Sequence, residues 1–234
     1  MQTIGRDEYE KLIAGAEVLA RDDHGDKVLR LAGGDVLKLF RVKHMVSSAR
    51  IWPHVIRFAR AAQGLRERDV PTVRVQRVMR VPHIRRDAVV YAPLPGRTLR
   101  GMLDGADATT LDVLLDRFAR FLATLHHRGV YFRAIHFGNV LVTDDGELGL
   151  IDVSEARLLR RPLGAWRRAR NFRPMVRYDE DRAALRAFGM QRFVDRYIEA
   201  SGLDGVRRRI FSFVLGLRPP LGPGALPFSD SRVS

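Results

Sequence analysis

The first half of the chain alternates apolar and polar positions over short stretches, a pattern that predicts β-strands with one buried face. Strands are expected at residues 18–20, 27–31, 36–40, 73–81 and 88–93. A short helix is predicted over residues 7–16, and a longer helix over residues 47–66 carries apolar residues at helical spacing. Glycine-containing turns at residues 22–26 and 33–35 connect the first three strands. Strands therefore dominate the predicted N-terminal half.

The second half shows a helical period. Leucine and phenylalanine residues recur every three or four positions over residues 109–127 and predict a buried helix there. Residues 140–142 and 148–151 are expected to form a short hairpin. Residues 155–214 are rich in arginine and are predicted to be mostly helical.

A rigid Pro93-Leu94-Pro95-Gly96 segment separates the two halves and marks a domain boundary. The expected fold class is α+β with two lobes, a strand-rich N-lobe at residues 1–92 and a helical C-lobe at residues 93–217. Residues 218–234 are rich in proline and glycine and are expected to form a loose tail. A ligand is expected in a cleft between two such lobes.

Charge narrows the class of partner. The 234 residues include 41 basic and 27 acidic side chains, which gives a formal net charge of +14. Such an excess indicates an anionic partner, either nucleic acid, an anionic membrane surface or a phosphorylated ligand. Only four basic residues are lysines, and the arginine bias is typical of a GC-rich genome, so each lysine stands out.

Cysteine usage and hydropathy narrow the location. The chain contains no cysteine, which excludes disulfides, thiolate nucleophiles and cysteine-ligated zinc. Its first residues lack the features of a secretory signal, and no apolar run approaches 18 residues. We therefore expect a cytoplasmic protein, with peripheral association with the inner membrane left open.

Lys38 is the first candidate functional residue. It lies in the third predicted strand, between Leu37 and Leu39, and alternation places it on the face shared with Val36 and Phe40. A compact ammonium on a stiff strand is suited to holding a phosphate. The alternative is a lysine at a strand edge whose charged end reaches solvent.

A second candidate site follows from the predicted hairpin. Asn139 enters its first strand and Asp152 follows its second, so a hairpin of this size can bring both side chains to one end. Amide and carboxylate oxygens are hard ligands that can hold Mg²⁺. The alternative is an Asx turn at each strand end.

These residues, in this order, resemble the protein-kinase-like superfamily. Lys38 matches the third-strand lysine, residues 132–139 match the catalytic-loop signature that ends in Asn139, and Asp152-Val153-Ser154 matches the metal-binding Asp-Phe-Gly. The sequence is most similar to small bacterial lipopolysaccharide core kinases (Kdo and heptose kinases) and to kinase-like proteins labelled toluene tolerance proteins. Residues 91–99 resemble the inter-lobe segment of aminoglycoside phosphotransferase-like enzymes.

The resemblance implies ATP and Mg²⁺ as cofactors. Lys38 would hold the α- and β-phosphates and Asn139 and Asp152 the metal. The remaining implied roles are bracing of the catalytic loop by Arg133, adenine binding by the backbone of residues 90–93, including Tyr91 and Ala92, and cover of the phosphates by Gly25. The acceptor would be a hydroxyl of an anionic or phosphorylated cell-envelope sugar or lipid.

The chain departs from the family pattern at several positions. Ala134 replaces the catalytic aspartate, which orients the acceptor hydroxyl and accepts its proton. The glycine-rich loop is reduced to a single glycine, and the helix after residue 43 has no glutamate to pair with Lys38. His136 and Glu155 are the candidates to replace the missing base.

Two alternatives to an active kinase follow. A pseudokinase would bind nucleotide or a partner without catalysis. A basic nucleic-acid binder fits the net charge, and the arginines at residues 157–177 suit any phosphate. The sequence has no nucleic-acid motif and no array of stacking aromatic residues, so nucleic-acid binding is the weaker of the two alternatives.

Overall fold

The computed structural model describes residues 1–23, 25–42 and 53–216, and shows a mixed α+β protein. The chain divides into two compact units. The first unit comprises Met1–Leu94 and Asp152–Glu155, and the second comprises Pro95–Ile151 and Ala156–Ser234. The predicted tail at residues 218–234 lies outside the described residues.

The first unit is built on a six-stranded sheet with the order β1-β5-β6-β4-β3-β2. The strands are β1 (Gln2–Thr3), β2 (Glu17–Asp22), β3 (Gly25–Arg30), β4 (Val36–Arg41), β5 (Arg74–Val81) and β6 (Arg86–Ala92). All neighbouring strands are antiparallel except β1 and β5, which are parallel. Among its described residues, this unit has two α-helices, α1 (Arg6–Ile13) and α2 (His54–Arg66).

The strand pattern explains the two faces of this sheet. One face buries Leu37, Leu39, Met79 and Ala88 in a core that includes Tyr9 of α1. The opposite face carries Lys38 and Phe40, and Phe58 of α2 packs against Phe40 with their ring centroids 5.9 Å apart. Each apolar face is covered by a helix, as burial of half-apolar strands requires.

The predicted strands of this unit are observed with ends shifted by at most two residues. The helix predicted over residues 47–66 is observed from His54 to Arg66, and residues 47–52 lie outside the described residues. Pro53 precedes its first residue, where proline costs no hydrogen bond.

The second unit contains two small sheets and six helices among its described residues. The strands are β7 (Arg97–Thr98), β8 (Val130–Phe132), β9 (Val140–Val142), β10 (Leu148–Leu150) and β11 (Ala156–Leu158). The sheets have the orders β10-β9-β7 and β11-β8. The helices are α3 (Leu99–Leu103), α4 (Ala108–His127), α5 (Ala165–Arg170), α6 (Asp179–Phe188), α7 (Met190–Ser201) and α8 (Gly205–Leu215).

The long helix α4 is the centre of the second unit. Phe118 of α4 contacts Phe137 and Phe193, with ring centroids 5.3 and 5.8 Å apart. Phe172 extends this aromatic core to Phe211 of α8. Asp107 caps α4 by accepting a hydrogen bond from the backbone of the first turn, so both ends of the predicted 109–127 helix are correct within one residue.

Two glycines allow close approaches in this unit. A Cβ atom at Gly96, where φ is +129°, would lie 2.2 Å from the carbonyl oxygen of Val142. A Cβ atom at Gly129 would lie 2.4 Å from the carbonyl oxygen of Leu159, the residue after β11. Only glycine fits these positions.

The prediction that residues 155–214 are mostly helical omitted β11, because a strand of three residues is too short to show a period.

Among the described residues, no helix is long and apolar enough to cross a membrane.

Candidate functional site

Lys38 is held inside the first unit by charge and aromatic contacts. Its side chain is 10% exposed, and Nζ donates a hydrogen bond to Oδ1 of Asp152 at 2.6 Å. The ring centroids of Phe40 and Phe58 lie 5.7 and 5.6 Å from Nζ. A carboxylate and two aromatic rings therefore stabilise the buried ammonium. The ion pair joins two candidate residues that lie 114 positions apart in the sequence.

Asp152 combines a strained backbone with an open side chain. Its φ of +50° places it in the left-handed region, which few residues other than glycine adopt. Its side chain is 49% exposed although Oδ1 accepts from Lys38. The carboxylate therefore retains an accessible surface through which a cation or other ligand can bind.

The segment after Asp152 is attached to α2. Nη2 of Arg57 donates to Oε1 of Glu155 at 3.2 Å and lies 2.7 Å from Nδ1 of His54. The helix α2 thus presents a cation to Glu155. Glu155, a candidate for the missing base, is engaged by this guanidinium, and Lys38 takes its carboxylate from Asp152 instead.

Tyr91 and Ala92 lie at the end of β6, the segment predicted to bind adenine. The ladder between β4 and β6 ends at the Val36–Tyr91 pair, whereas β5 continues to pair through Arg74 and Ala92. Among the described strands, Ala92 therefore has a ladder partner on one side. Burial, assisted by the charge of Asp152, raises the pKa of Tyr91 to about 12, so this phenol stays protonated.

Gly25 opens β3 with a φ of +106° and pairs with Asp22 across the β2–β3 hairpin. Its surroundings are open, since a Cβ atom would meet nothing within 4 Å. The hairpin is rich in carboxylates: Asp22 pairs with Arg86 and Asp26 pairs with Arg21. The structure therefore shows an acidic hairpin at this position.

In the second unit, Asn139 closes the loop that carries the other predicted residues. Its Nδ2 donates to the carbonyl oxygen of Ala134 at 2.9 Å, and its own carbonyl oxygen accepts from the amide of Ile151 at 3.0 Å. The second bond extends the β9–β10 hairpin, in which Val140 pairs with Leu150. The hairpin prediction is confirmed, and the side-chain oxygen of Asn139 remains as the amide atom suited to a metal.

His136 and Arg133 differ in how the loop holds them. The His136 ring packs edge-on against Tyr178 with their centroids 4.7 Å apart. A Cβ atom at Gly138 would lie 3.2 Å from two atoms of the His136 ring, so the loop closes tightly over it. Arg133 is exposed, and the side chain at Ala134 offers no proton acceptor.

Asp181 braces this loop, a role that the sequence did not reveal. It is fully buried, with Oδ1 accepting from Nε of Arg100 at 2.7 Å and Oδ2 accepting from the amide of Phe137 at 3.0 Å. The hydrogen bond to Asp181 raises the pKa of Arg100, whose guanidinium also lies 4.4 Å from the Tyr178 ring centroid. The partner of Asp181 is thus Arg100, which lies outside the arginine-rich stretch at residues 157–177.

A second buried network fixes the start of the loop. Nδ2 of Asn171 donates to the carbonyl oxygen of Phe132 at 2.7 Å, and its Oδ1 accepts from Nε2 of His126 at 3.1 Å. Nδ1 of His126 then accepts from the Tyr197 hydroxyl at 2.7 Å. Burial lowers the pKa of His126 to about 3, so the imidazole is neutral and both its nitrogens are satisfied.

Asp152 in the first unit and Asn139 in the second each offer a donor suited to Mg²⁺. The first offers a half-exposed carboxylate and the second an amide oxygen, both hard ligands, and Mg²⁺ typically takes few protein ligands beside water and phosphate oxygens. Among the described residues there is no cluster of three or more histidine, aspartate or glutamate side chains suited to a metal.

Comparison of the sequence with models of known protein families gives no match, and no curated protein matches it significantly.

Proposed function

We propose that the protein is a divergent ATP–Mg²⁺-dependent phosphotransferase with a kinase-like, two-lobed fold. The observation that carries this proposal is the ion pair between Lys38 and Asp152, two residues that motif order alone singled out. A buried ammonium beside a half-exposed carboxylate can hold a phosphate oxygen and a metal side by side. The acceptor is a hydroxyl of a cell-envelope sugar or lipid, by resemblance to the lipopolysaccharide core kinases.

The residues take distinct parts in this proposal. Lys38 holds the α- and β-phosphates, and the backbone at Ala92 holds adenine. Asp152 and Asn139 hold Mg²⁺, which neutralises phosphate charge when bound. The networks around Phe132 and Phe137 hold the loop that carries Asn139. Because phosphoryl transfer depends mainly on positioning and electrostatics, the loss of a base at Ala134 weakens catalysis without excluding it.

A pseudokinase is the second candidate function, and Ala134 is the observation that favours it. Both candidate substitutes are engaged elsewhere, since Glu155 pairs with Arg57 and His136 packs against Tyr178. In this case the protein binds nucleotide and acts through contacts with a partner.

Nucleotide-dependent thermal stabilisation tests the shared part of both candidates. We expect ATP–Mg²⁺ to raise Tm, and Lys38→Met and Asp152→Asn each to weaken nucleotide binding at least about tenfold, because each removes a charge-assisted contact. Lys27→Met is the matched control, an exposed lysine on the neighbouring strand β3. Equal affinity in all four proteins, or no shift in Tm, would contradict the proposal.

Turnover separates the two candidates. An active kinase transfers phosphate from ATP to purified envelope glycolipid, and Asp152→Asn abolishes the transfer. A protein that binds ATP–Mg²⁺ through Lys38 and Asp152 without transfer to any such acceptor is a pseudokinase.

A further inference from the structure

One face of the second unit exposes large apolar side chains. The helix α8 buries Phe211 and Leu215 on one side and exposes Val206, Ile210 and Phe213 on the other. Phe213 is 85% exposed and Val206 is 68% exposed. These three positions follow a spacing of three to four residues, so they form one stripe along the helix. The stripe has no cover among the described residues.

A second exposed aromatic residue extends this stripe. Trp166 is 50% exposed and belongs to α5, which packs against α8. Trp166 and Ile210 line the same cavity, so the apolar surface is continuous from one helix to the other. The guanidinium of Arg170 lies 4.5 Å from the Trp166 ring centroid. We call this surface, made of Trp166, Val206, Ile210 and Phe213, the apolar face.

Arginines surround the apolar face. Helical geometry places Arg207 and Arg209 on the two sides of the α8 stripe, and Arg167 follows Trp166 on α5. The helix α8 contains no acidic residue. Among the described residues, none of these three arginines forms an ion pair with a carboxylate. The face therefore combines exposed apolar area with uncompensated positive charge.

A cavity of about 890 Å³ opens beside the apolar face. Its lining includes Arg161, Arg167, Arg168 and Arg207 and contains no aspartate or glutamate. Arg168 is only 4% exposed, and its Nε donates to the carbonyl oxygen of Leu163. Its buried Nη1 has no hydrogen-bond partner among the described residues. The guanidinium also contacts the Tyr197 hydroxyl, and because an unsatisfied buried donor is costly, a phosphate oxygen that accepted from Nη1 would be stabilising.

We propose that this face binds an anionic phospholipid bilayer, with the apolar face in the membrane interface and one lipid phosphate in the cavity beside Arg168. Amphipathic helices with apolar and arginine-rich positions bind such interfaces, and tryptophan favours the headgroup region. Each arginine near the surface gains from the negative potential of the lipids. The surface contains none of the residues proposed to bind nucleotide.

Charge argues against the other occupants. A second copy of the same face would bring like-charged arginines together, which costs free energy. The chain's own residues 217–234 contain one aspartate and two arginines, so they do not complement the face. Nucleic acid would satisfy the arginines and leave the aliphatic side chains of Val206 and Ile210 without a partner.

The inference rests on the proposed function only for the idea that the acceptor belongs to the cell envelope. Vesicle binding needs no nucleotide, so its outcome is independent of the thermal-shift result at Lys38 and Asp152. A protein that fails to bind vesicles and still binds ATP–Mg²⁺ refutes this inference alone.

Vesicle sedimentation at low ionic strength is the test. We expect the full chain to bind vesicles of phosphatidylcholine with phosphatidylglycerol and not vesicles of phosphatidylcholine alone. The triple variant Arg167→Gln, Arg207→Gln and Arg209→Gln should bind about a hundredfold more weakly, given the gain per charge at an anionic surface. The double variant Val206→Ser and Phe213→Ser should lose at least about tenfold through lost apolar burial.

Matched controls distinguish vesicle binding by this face from vesicle binding by the net charge of the protein. Arg6→Gln, Arg41→Gln and Arg74→Gln remove the same charge from exposed positions of the first unit. Val113→Ser with Leu19→Ser removes exposed apolar side chains elsewhere. Both controls should retain most of the binding. Equal losses in the two arginine variants would overturn the proposal, because net charge alone would then explain the binding.

Tryptophan emission locates the contact. The chain has two tryptophans, so Trp52→Phe leaves Trp166 as the only tryptophan. Its emission should shift to shorter wavelength with anionic vesicles and be quenched by brominated lipids. An unchanged emission would overturn the proposal. So would stronger binding to RNA than to vesicles, or vesicle binding that appears only after removal of residues 217–234.

Discussion

Asp152 and Asp181 both accept a hydrogen bond from a basic side chain, yet their surroundings are opposite. Asp181 lies in the regular helix α6, is fully buried and uses one oxygen for Arg100 and the other for the amide of Phe137. Asp152 has a left-handed backbone, is 49% exposed and uses Oδ1 for Lys38. A closed carboxylate of the first kind stabilises the fold, whereas an open one of the second kind can bind a ligand.

Removal of the closed carboxylate should have the largest effect on stability. We expect Asp181→Ala to lower the free energy of unfolding by about 3 kcal/mol, because it leaves Arg100 without its anion and the buried amide of Phe137 without an acceptor. Asp181→Asn should cost less, since it keeps an acceptor for that amide. Urea denaturation measures both variants.

Asp112 provides the control for Asp181. It accepts two hydrogen bonds of 2.8 Å from Arg192, and both side chains are more than 40% exposed. Because solvent screens an exposed pair, Asp112→Ala should change stability far less than Asp181→Ala. Similar losses in the two variants would show that burial does not set the difference between the closed and the open carboxylate.

The free energy of unfolding should also depend on pH through the buried His126. The folded state binds this proton only near pH 3, whereas an unfolded histidine binds it near its ordinary pKa of 6.5. Stability is therefore full above the unfolded pKa and falls as the pH decreases below it. One such proton lowers the free energy of unfolding by about 2 kcal/mol between about pH 7 and pH 5.

Urea denaturation of His126→Gln over the same pH range checks this sign. Glutamine retains a donor and an acceptor for Asn171 and Tyr197 and does not titrate, so the variant should show a flatter dependence of stability on pH. The matched variant His83→Gln changes a histidine that packs edge-on against Tyr9 in the first unit, and it should keep the wild-type slope. A slope in His126→Gln equal to that of the wild type would mean that another group titrates.

Sequence periodicity predicted where Lys38 lies better than it predicted what Lys38 contacts. The alternation around Lys38 placed it on one face with Phe40, and the contact between its Nζ and the Phe40 ring confirms that placement. Local pattern could not reveal the bond from Lys38 to Asp152, because the two residues are 114 positions apart. The resemblance singled out both residues and gave them separate tasks.

The burial of Asp181 had a signal in the sequence that the prediction missed. Asp181, Leu185 and Phe188 recur at helical spacing on α6, and all three are buried. An acidic residue on an apolar stripe indicates a buried carboxylate with an obligatory partner. Its partner Arg100 lies 81 positions away and could not be identified without the fold. The strand β11 was missed because three residues are too few to show a period.

Removal of the open carboxylate of Asp152 should change stability less than removal of Asp181, and this is the sharpest form of the comparison. Asp152→Gly replaces an aspartate in a left-handed conformation with glycine, which adopts that conformation freely. The Asp152 side chain, which pairs with Lys38, is 49% exposed. We expect this variant to be destabilised less than Asp181→Ala and to lose nucleotide binding, because relief of the left-handed backbone, by up to about 1 kcal/mol, offsets part of the cost of leaving the buried Lys38 ammonium without its carboxylate. Asp152→Ala keeps the backbone strain and loses the same carboxylate, so it should be less stable than Asp152→Gly in urea denaturation. If Asp152→Gly were destabilised as strongly as Asp181→Ala, the Lys38–Asp152 pair would be a structural element, and the site would lose its strongest support as a place where a ligand binds.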